Sequence, residues 1–201
     1  MTGRLQGGLA MKLLEDRIRS DGDVRPGKVL AVDSFLNHQI DTELLQAMAR
    51  QWHADFADAR VNKVLTVEAS GIAIACFVGA EFGVPVVFAK RSWSKELAGD
   101  MYTARVHSHT HDSDADVMVS RRYLGPEDRV LLVDDFLAKG CAMEGLVEIC
   151  KQAGAAIEGV AIAIEKGFQP GGAELRAQGL RVDSLAVIDH MDVGTGAIVF
   201  R

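Results

Sequence analysis

The chain has 201 residues, 48% hydrophobic and 25% charged, an ordinary globular balance with enough length for one domain and a large core. Its formal net charge of −6 speaks against electrostatic partners such as DNA or an anionic membrane, and no apolar run approaches the roughly 18 residues that span a bilayer. Cys76, Cys141 and Cys150 lack paired spacing and no CxxC or HExxH occurs, which argues against a disulfide framework or structural zinc and for a reducing, cytoplasmic setting.

Residues 1–10 are Gly-rich and unpatterned; they are read as an extension of unknown role, with Met11 as the natural first residue. Met11 to Ser20 is amphipathic, with Leu14 and Ile18 four apart, and predicts a short helix ending at Asp21-Gly22. Val29 to Val32 reads as a strand and Asp33 or Ser34 as the start of a turn. Phe35, Leu36, Asn37 and His38 then fit a helix-entry loop with exposed polar side chains. From Asp41 to Asp58 the spacing predicts a helix with Asp41 as N-cap and a core stripe of Leu45, Met48, Trp52 and Phe56.

Lys63 to Glu68 predicts a buried strand, followed by a helix with Ile74, Phe77 and Val78 facing inward. The turn between them, Glu68-Ala69-Ser70-Gly71, is small enough to present backbone N–H groups to an anion. Alone it fits a plain strand-to-helix turn better. Gly83-Val84-Pro85 ends the helix and Val86 to Ala89 predicts the next strand. Lys90 and Arg91 at its end are either a solvated edge or counter-charges for an anion.

Residues 92–114 are polar and contain Gly99 and three alternating histidines, His107, His109 and His111. Alternation puts them on one face of a strand, but no nearby cysteine or acid completes a metal set. A polar insertion of this length reads as a lid, with 102–106 and 116–119 as hairpin arms.

Arg129 to Leu146 is the chain's most informative stretch. Val130, Leu131, Leu132 and Val133 form a continuous apolar run, the mark of a strand buried on both faces. Asp134 and Asp135 follow, then a short segment with Gly140, then a helix with Met143, Leu146, Ile149 and Cys150 on one stripe. Helix starts after strands are anion sites, and open α/β sheets hold ligands at the strands' C-terminal ends. Carboxylates beside such a site make sense if they hold ribose hydroxyls or Mg²⁺ while the loop takes the sugar's phosphate. A solvated Asp-Asp turn is the plain alternative.

Ile157 to Glu165 predicts another core strand, closed by Lys166-Gly167-Phe168-Gln169-Pro170-Gly171. A lysine there fits a snorkelling surface residue when taken alone. Residues 173–179 predict a short helix, 182–189 a last strand and 197–200 an edge strand. The order predicts an α/β fold, a central parallel sheet of about five strands with helices on both faces.

The pattern of four hydrophobics, Asp134-Asp135, two hydrophobics, a small residue, one variable position and Gly140 resembles the phosphoribosyl pyrophosphate (PRPP) motif of type I phosphoribosyltransferases. Together with the strings SFLNHQID (34–41), VDDFLA (133–138) and EKGFQPG (165–171), it is most similar to the xanthine members, over nearly all of residues 11–201. The resemblance implies a single 11–201 domain, with a hood from 11–40 and the C-terminal segment and a flexible lid at 92–114. It implies transfer of a phosphoribosyl group from PRPP, with Mg²⁺, to N9 of xanthine in a cytoplasmic homodimer. It assigns Asp134 and Asp135 to catalysis. It assigns Ala138, Lys139, Gly140, Cys141 and Ala142 to the 5′-phosphate, and Glu68, Ala69, Ser70 and Gly71 with Lys90 and Arg91 to the pyrophosphate. Leu30, Asn37, Lys166 and Phe168 then face the base. An amide offers donor and acceptor in one plane, and an ammonium donates only, which favours oxopurines over adenine. Lys139 and Cys141 replace the Asn and Gln usual in the xanthine members, and a loop that binds through its backbone tolerates both. A hypoxanthine or guanine enzyme, and a PRPP-sensing DNA-binding regulator, are the other readings that the motif admits.

Overall fold

The computed structural model describes residues 3–91, 100–108 and 113–201. In chain order the elements are α1 (Gly3–Asp21), the hairpin β1 (Asp23–Arg25) and β2 (Val29–Ala31), a π-helical turn (Asp33–Asn37), α2 (Thr42–Asp55), β3 (Lys63–Val67), α3 (Ser70–Phe82) and β4 (Val86–Ala89). The chain continues with β5 (Met101–Ser108), β6 (Ser113–Ser120), β7 (Arg129–Leu137), α4 (Cys141–Ala153), β8 (Ala156–Lys166), α5 (Gly171–Ala177), β9 (Val182–Met191) and β10 (Ile198–Phe200).

Six strands form the central sheet in the order β10-β9-β8-β7-β3-β4. The five from β9 to β4 are mutually parallel and β10 joins antiparallel at the edge. Strand order reverses between β3 and β7, because the chain moves outward to β4 on one side and to β8 and β9 on the other. In a doubly wound sheet this reversal opens a crevice at the strands' C-terminal ends. The 68–71 turn after β3 and the 138–140 loop after β7 are the two lips of that crevice.

Each face of the sheet carries its own core. On one face α1, α2 and α3 bury Leu14, Ile18, Leu45, Met48, Trp52, Phe56, Ile74 and Val78 against Leu131 and Val133. This is the stripe expected for α2, and Asp41 caps that helix by accepting from Leu44 N at 3.0 Å. On the other face α4 buries Met143, Leu146, Ile149 and Cys150 against Val130 and Leu132.

Three boundaries differ from expectation. First, α1 begins at Gly3 rather than Met11; no proline interrupts residues 3–21. Second, β7 does not end at Val133 but continues through the acid pair to Leu137. The long strand β8 carries it, with Asp134 opposite Ile162 and Leu137 opposite Glu165. Third, the hairpin arms are longer than predicted, pairing Met101 with Ser120 through Ser108 with Ser113. Their side chains Ala104, Val106 and Val117 belong to the α4 core. A Cβ on Gly145 would lie 2.4 Å from Val106 Cγ2, so glycine lets the hairpin rest on the helix. Much of the expected lid, 92–99 and 109–112 with His109 and His111, lies outside the described residues.

Candidate active site

The acid pair sits at the crevice, and both residues are buried. Asp134 Oδ1 accepts from the Asp135 amide at 2.9 Å, and Asp135 Oδ1 accepts from the Phe136 amide at 2.9 Å. Burial, and after it the neighbouring Asp135 charge, push the Asp134 carboxyl well above the usual carboxylate range, against lowering by the Asp135 amide and the Arg91 charge.

The 138–140 loop is braced from behind. Gly140 adopts φ 90° as the residue before α4, and Gly171 at the start of α5 donates its N–H to Ala138 O at 3.0 Å. A Cβ on Gly171 would lie 2.6 Å from both Ala138 O and Gly140 N, so only glycine permits this backbone-on-backbone contact. Lys139 at the tip is exposed, Cys141 and Ala142 are half-buried, and the amides of the first turn of α4 face the crevice end of the helix. Burial, and then the nearby Glu144, push the Cys141 thiol up.

The opposite lip is held by two hydrogen bonds between Glu68 and Arg91. The Arg91 amide donates to Glu68 Oε1 at 2.6 Å, and Arg91 Nε donates to the Glu68 carbonyl at 3.0 Å. Lys90 exchanges both main-chain hydrogen bonds with Met118, tying the end of β4 to β6. Ala69 and Ser70 start α3, and the Glu68–Ala69 peptide is cis. Gly71 brings this turn onto the acid pair: a Cβ there would lie 2.1 Å from Thr66 Oγ1 and 3.0 Å from Asp134 Oδ1. Thr66 Oγ1 is itself buried and, among the described residues, has no hydrogen-bond partner.

At the other end of the acid pair, Asn37 Nδ2 donates to Asp135 Oδ2 at 3.2 Å. Lys166 closes the same corner from β8, and burial lowers its ammonium pKa. Leu30 is buried in the core beneath the N-terminal hairpin, and Phe168 packs half-buried against that core. The structure thus gathers the two loops and the acid pair at one crevice, with Asn37 and Lys166 beside it and Leu30 in the layer behind.

Residues 31–176 match the family model described as the phosphoribosyl transferase domain. The chain is 54% identical over 192 residues to xanthine phosphoribosyltransferase of Bifidobacterium adolescentis, covering 95% of this chain and 100% of that protein. It is 49% identical to the protein of the same name from Lachnoclostridium phytofermentans, over 95% of this chain and 98% of that one. This chain belongs to the phosphoribosyltransferase family, with the xanthine phosphoribosyltransferases. Among solved structures, APRTase from Giardia lamblia complexed with 9-deazaadenine superposes with a TM-score of 0.74 at 23% identity, over 88% of this chain and 98% of that one. Adenine phosphoribosyltransferase from Rhodothermus marinus gives 0.72 at 21% identity, over 90% and 98%. At these identities the structures speak for the fold.

As a phosphoribosyltransferase, the chain holds features at its crevice that motif reading passed over. Phe136, next to the acid pair, has its ring centroid 5.8 Å from Lys166 Nζ. The Lys28 carbonyl accepts from Lys166 Nζ at 3.1 Å. Gly171 braces the loop from 31 residues downstream of Gly140. Nothing in the amino-acid order pairs Gly171 with that loop.

Proposed function

We infer that this protein transfers the 5-phosphoribosyl group of PRPP to N9 of xanthine, forming xanthosine 5′-monophosphate and releasing pyrophosphate. The observation that carries this reading is the 3.2 Å hydrogen bond from Asn37 to Asp135, which ties the base-facing segment to the sugar-facing acid. Backbone N–H groups of Ala138 to Ala142 take the 5′-phosphate, helped by the dipole of α4. Glu68 to Gly71, with Lys90 and Arg91, receive the pyrophosphate. Asp134 and Asp135 hold the ribose hydroxyls. As the bond from C1 to the pyrophosphate oxygen breaks, C1 gains positive charge, which Asp135 stabilises, and negative charge builds on the leaving group opposite Arg91. N9 then bonds to C1, and its proton passes to water. Asn37 and Lys166 orient the base, with Leu30 and Phe168 as its apolar surroundings, and Lys166 donates to a keto oxygen.

The described residues contain no group of three or more His, Cys, Asp or Glu side chains that could hold a metal alone. Asp134 and Asp135 offer hard oxygen donors that suit Mg²⁺ arriving with PRPP. When bound, Mg²⁺ neutralises charge on the pyrophosphate oxygens. No helix among the described residues is long and apolar enough to cross a membrane. We place the enzyme in the cytoplasm as a homodimer, and sedimentation at twice the 21.7 kDa chain mass is the check on assembly.

The test of the activity is pyrophosphate release with PRPP, Mg²⁺ and each purine in turn. Xanthine should give the highest kcat/KM and adenine no turnover. Turnover of hypoxanthine or guanine without xanthine would replace the base assignment, and no turnover of any purine would remove the activity.

A further inference from the structure

The turn of the N-terminal hairpin carries a second lysine that no motif marks. Gly27 adopts φ 81°, a conformation suited to glycine, but Lys28 follows at φ 57°, which L residues rarely adopt. Side chains held in such backbone positions concentrate at ligand clamps. In this conformation Lys28 makes two contacts with the segment that closes β8. Its carbonyl accepts from Lys166 Nζ at 3.1 Å, and its own ammonium lies 5.3 Å from the Phe168 ring centroid. The Lys166 ammonium lies in turn 5.8 Å from the Phe136 ring, one residue beyond Asp135. Two ammonium groups from distant parts of the chain therefore border one end of the crevice, each beside an aromatic ring.

We propose that Lys28 is a specificity-determining residue, the second cation of the base site, which selects the C2 keto group of xanthine. The proposal rests on the xanthine reading above and adds the means of discrimination. Xanthine carries keto oxygens at C2 and C6. Hypoxanthine has hydrogen at C2, and guanine has an amino donor there. One ammonium reading the C6 oxygen cannot separate these three bases, because all of them have it. A second ammonium, which donates and never accepts, rewards a keto group at C2, gains nothing from hydrogen and opposes an amino group. A purine that stacks on Phe168 displaces the Lys28 ammonium from the ring face to the purine's edge. Lys28 is exposed, so its side chain has room to make this move.

Steady-state kcat/KM for xanthine, hypoxanthine and guanine at saturating PRPP and Mg²⁺ tests this in the wild type, Lys28→Met and Lys28→Arg. Lys28→Met should lower kcat/KM for xanthine about tenfold, the worth of one charge-assisted hydrogen bond, leave hypoxanthine within about twofold and leave guanine unchanged or raised. Lys28→Arg should keep most of the preference for xanthine. An equal fall for all three bases would make Lys28 a brace for the hairpin and overturn the proposal, as would an unchanged ratio of xanthine to guanine. Failure of the xanthine reading is seen separately, as a wild type that does not turn over xanthine. Melting temperatures of the three proteins should coincide, which confines any kinetic change to the site.

Discussion

The two lips of the crevice do similar work by different means. The 138–140 loop is fixed by backbone against backbone, Gly171 pressed on Ala138 and Gly140 at distances that no side chain can share. The 68–71 turn is fixed by side chains, with Arg91 hydrogen-bonded to Glu68 and a Thr66 hydroxyl beneath that has no partner among the described residues. Backbone packing has one solution and leaves the amides preorganised, as the 5′-phosphate site proposed here requires. Hydrogen bonds from charged side chains to main-chain groups exchange partners easily, as the pyrophosphate site proposed here requires. With PRPP placed as proposed, the difference makes a rigid anchor at one end of the sugar and an adjustable grip at the other.

Substitutions that attack each lip separate these two modes. The largest effect should come from Gly171→Ala. Its Cβ meets main-chain atoms that cannot rotate away, so kcat/KM for PRPP should fall by about a hundredfold or more, the worth of a misplaced binding loop. Titration of PRPP by calorimetry would show the same loss, and an unaffected affinity would show that the loop is not braced by this contact. Glu68→Gln should act more mildly, because the Arg91 amide keeps a weaker acceptor. The Michaelis constant for PRPP should rise about fivefold to twentyfold, the difference between charged and neutral hydrogen bonds. A change in kcat alone would contradict the adjustable-grip account.

Thr66→Val is smaller again. It removes a buried hydroxyl without a partner among the described residues and should raise stability by about 1 kcal/mol in chemical denaturation, with little change in turnover. Loss of turnover would show that the hydroxyl finds a partner in the bound state. The smallest effect lies away from both lips, at Asp183 on β9. Burial first, and the Asp55 charge second, raise its carboxyl from 3.8 to about 6. The unfolded chain releases that proton more readily, so this group's contribution to stability falls as pH rises from about 4 to about 6 and is flat above. Asp183→Asn should raise the melting temperature at pH 8 by a few degrees and leave it nearly unchanged at pH 4, an effect of about 1 kcal/mol after allowance for partial exposure.

The same contrast explains what could be read from the amino-acid order. The core stripe of α2, the apolar run of β7 and the stripe of α4 were legible because burial imposes period and run length. The acid pair and Gly140 were legible because they are contiguous. The end of β7 was not, since Asp134 to Leu137 stay in the strand only because β8 lies alongside. The Gly171 brace and the Lys28 contact to Lys166 join residues far apart in the chain, and a single glycine or lysine in a turn carries no period. Phe136 looked like one more hydrophobic residue after the acids.

The central claim is that the crevice between β3 and β7 holds PRPP across its two lips. A crystal structure with PRPP and Mg²⁺ tests it most directly. The account predicts the 5′-phosphate on the amides of 138–142, the ribose hydroxyls on Asp134 and Asp135, and the pyrophosphate beside Glu68 to Gly71 and Arg91. PRPP bound elsewhere, or in this crevice with its two phosphate ends exchanged, would contradict it.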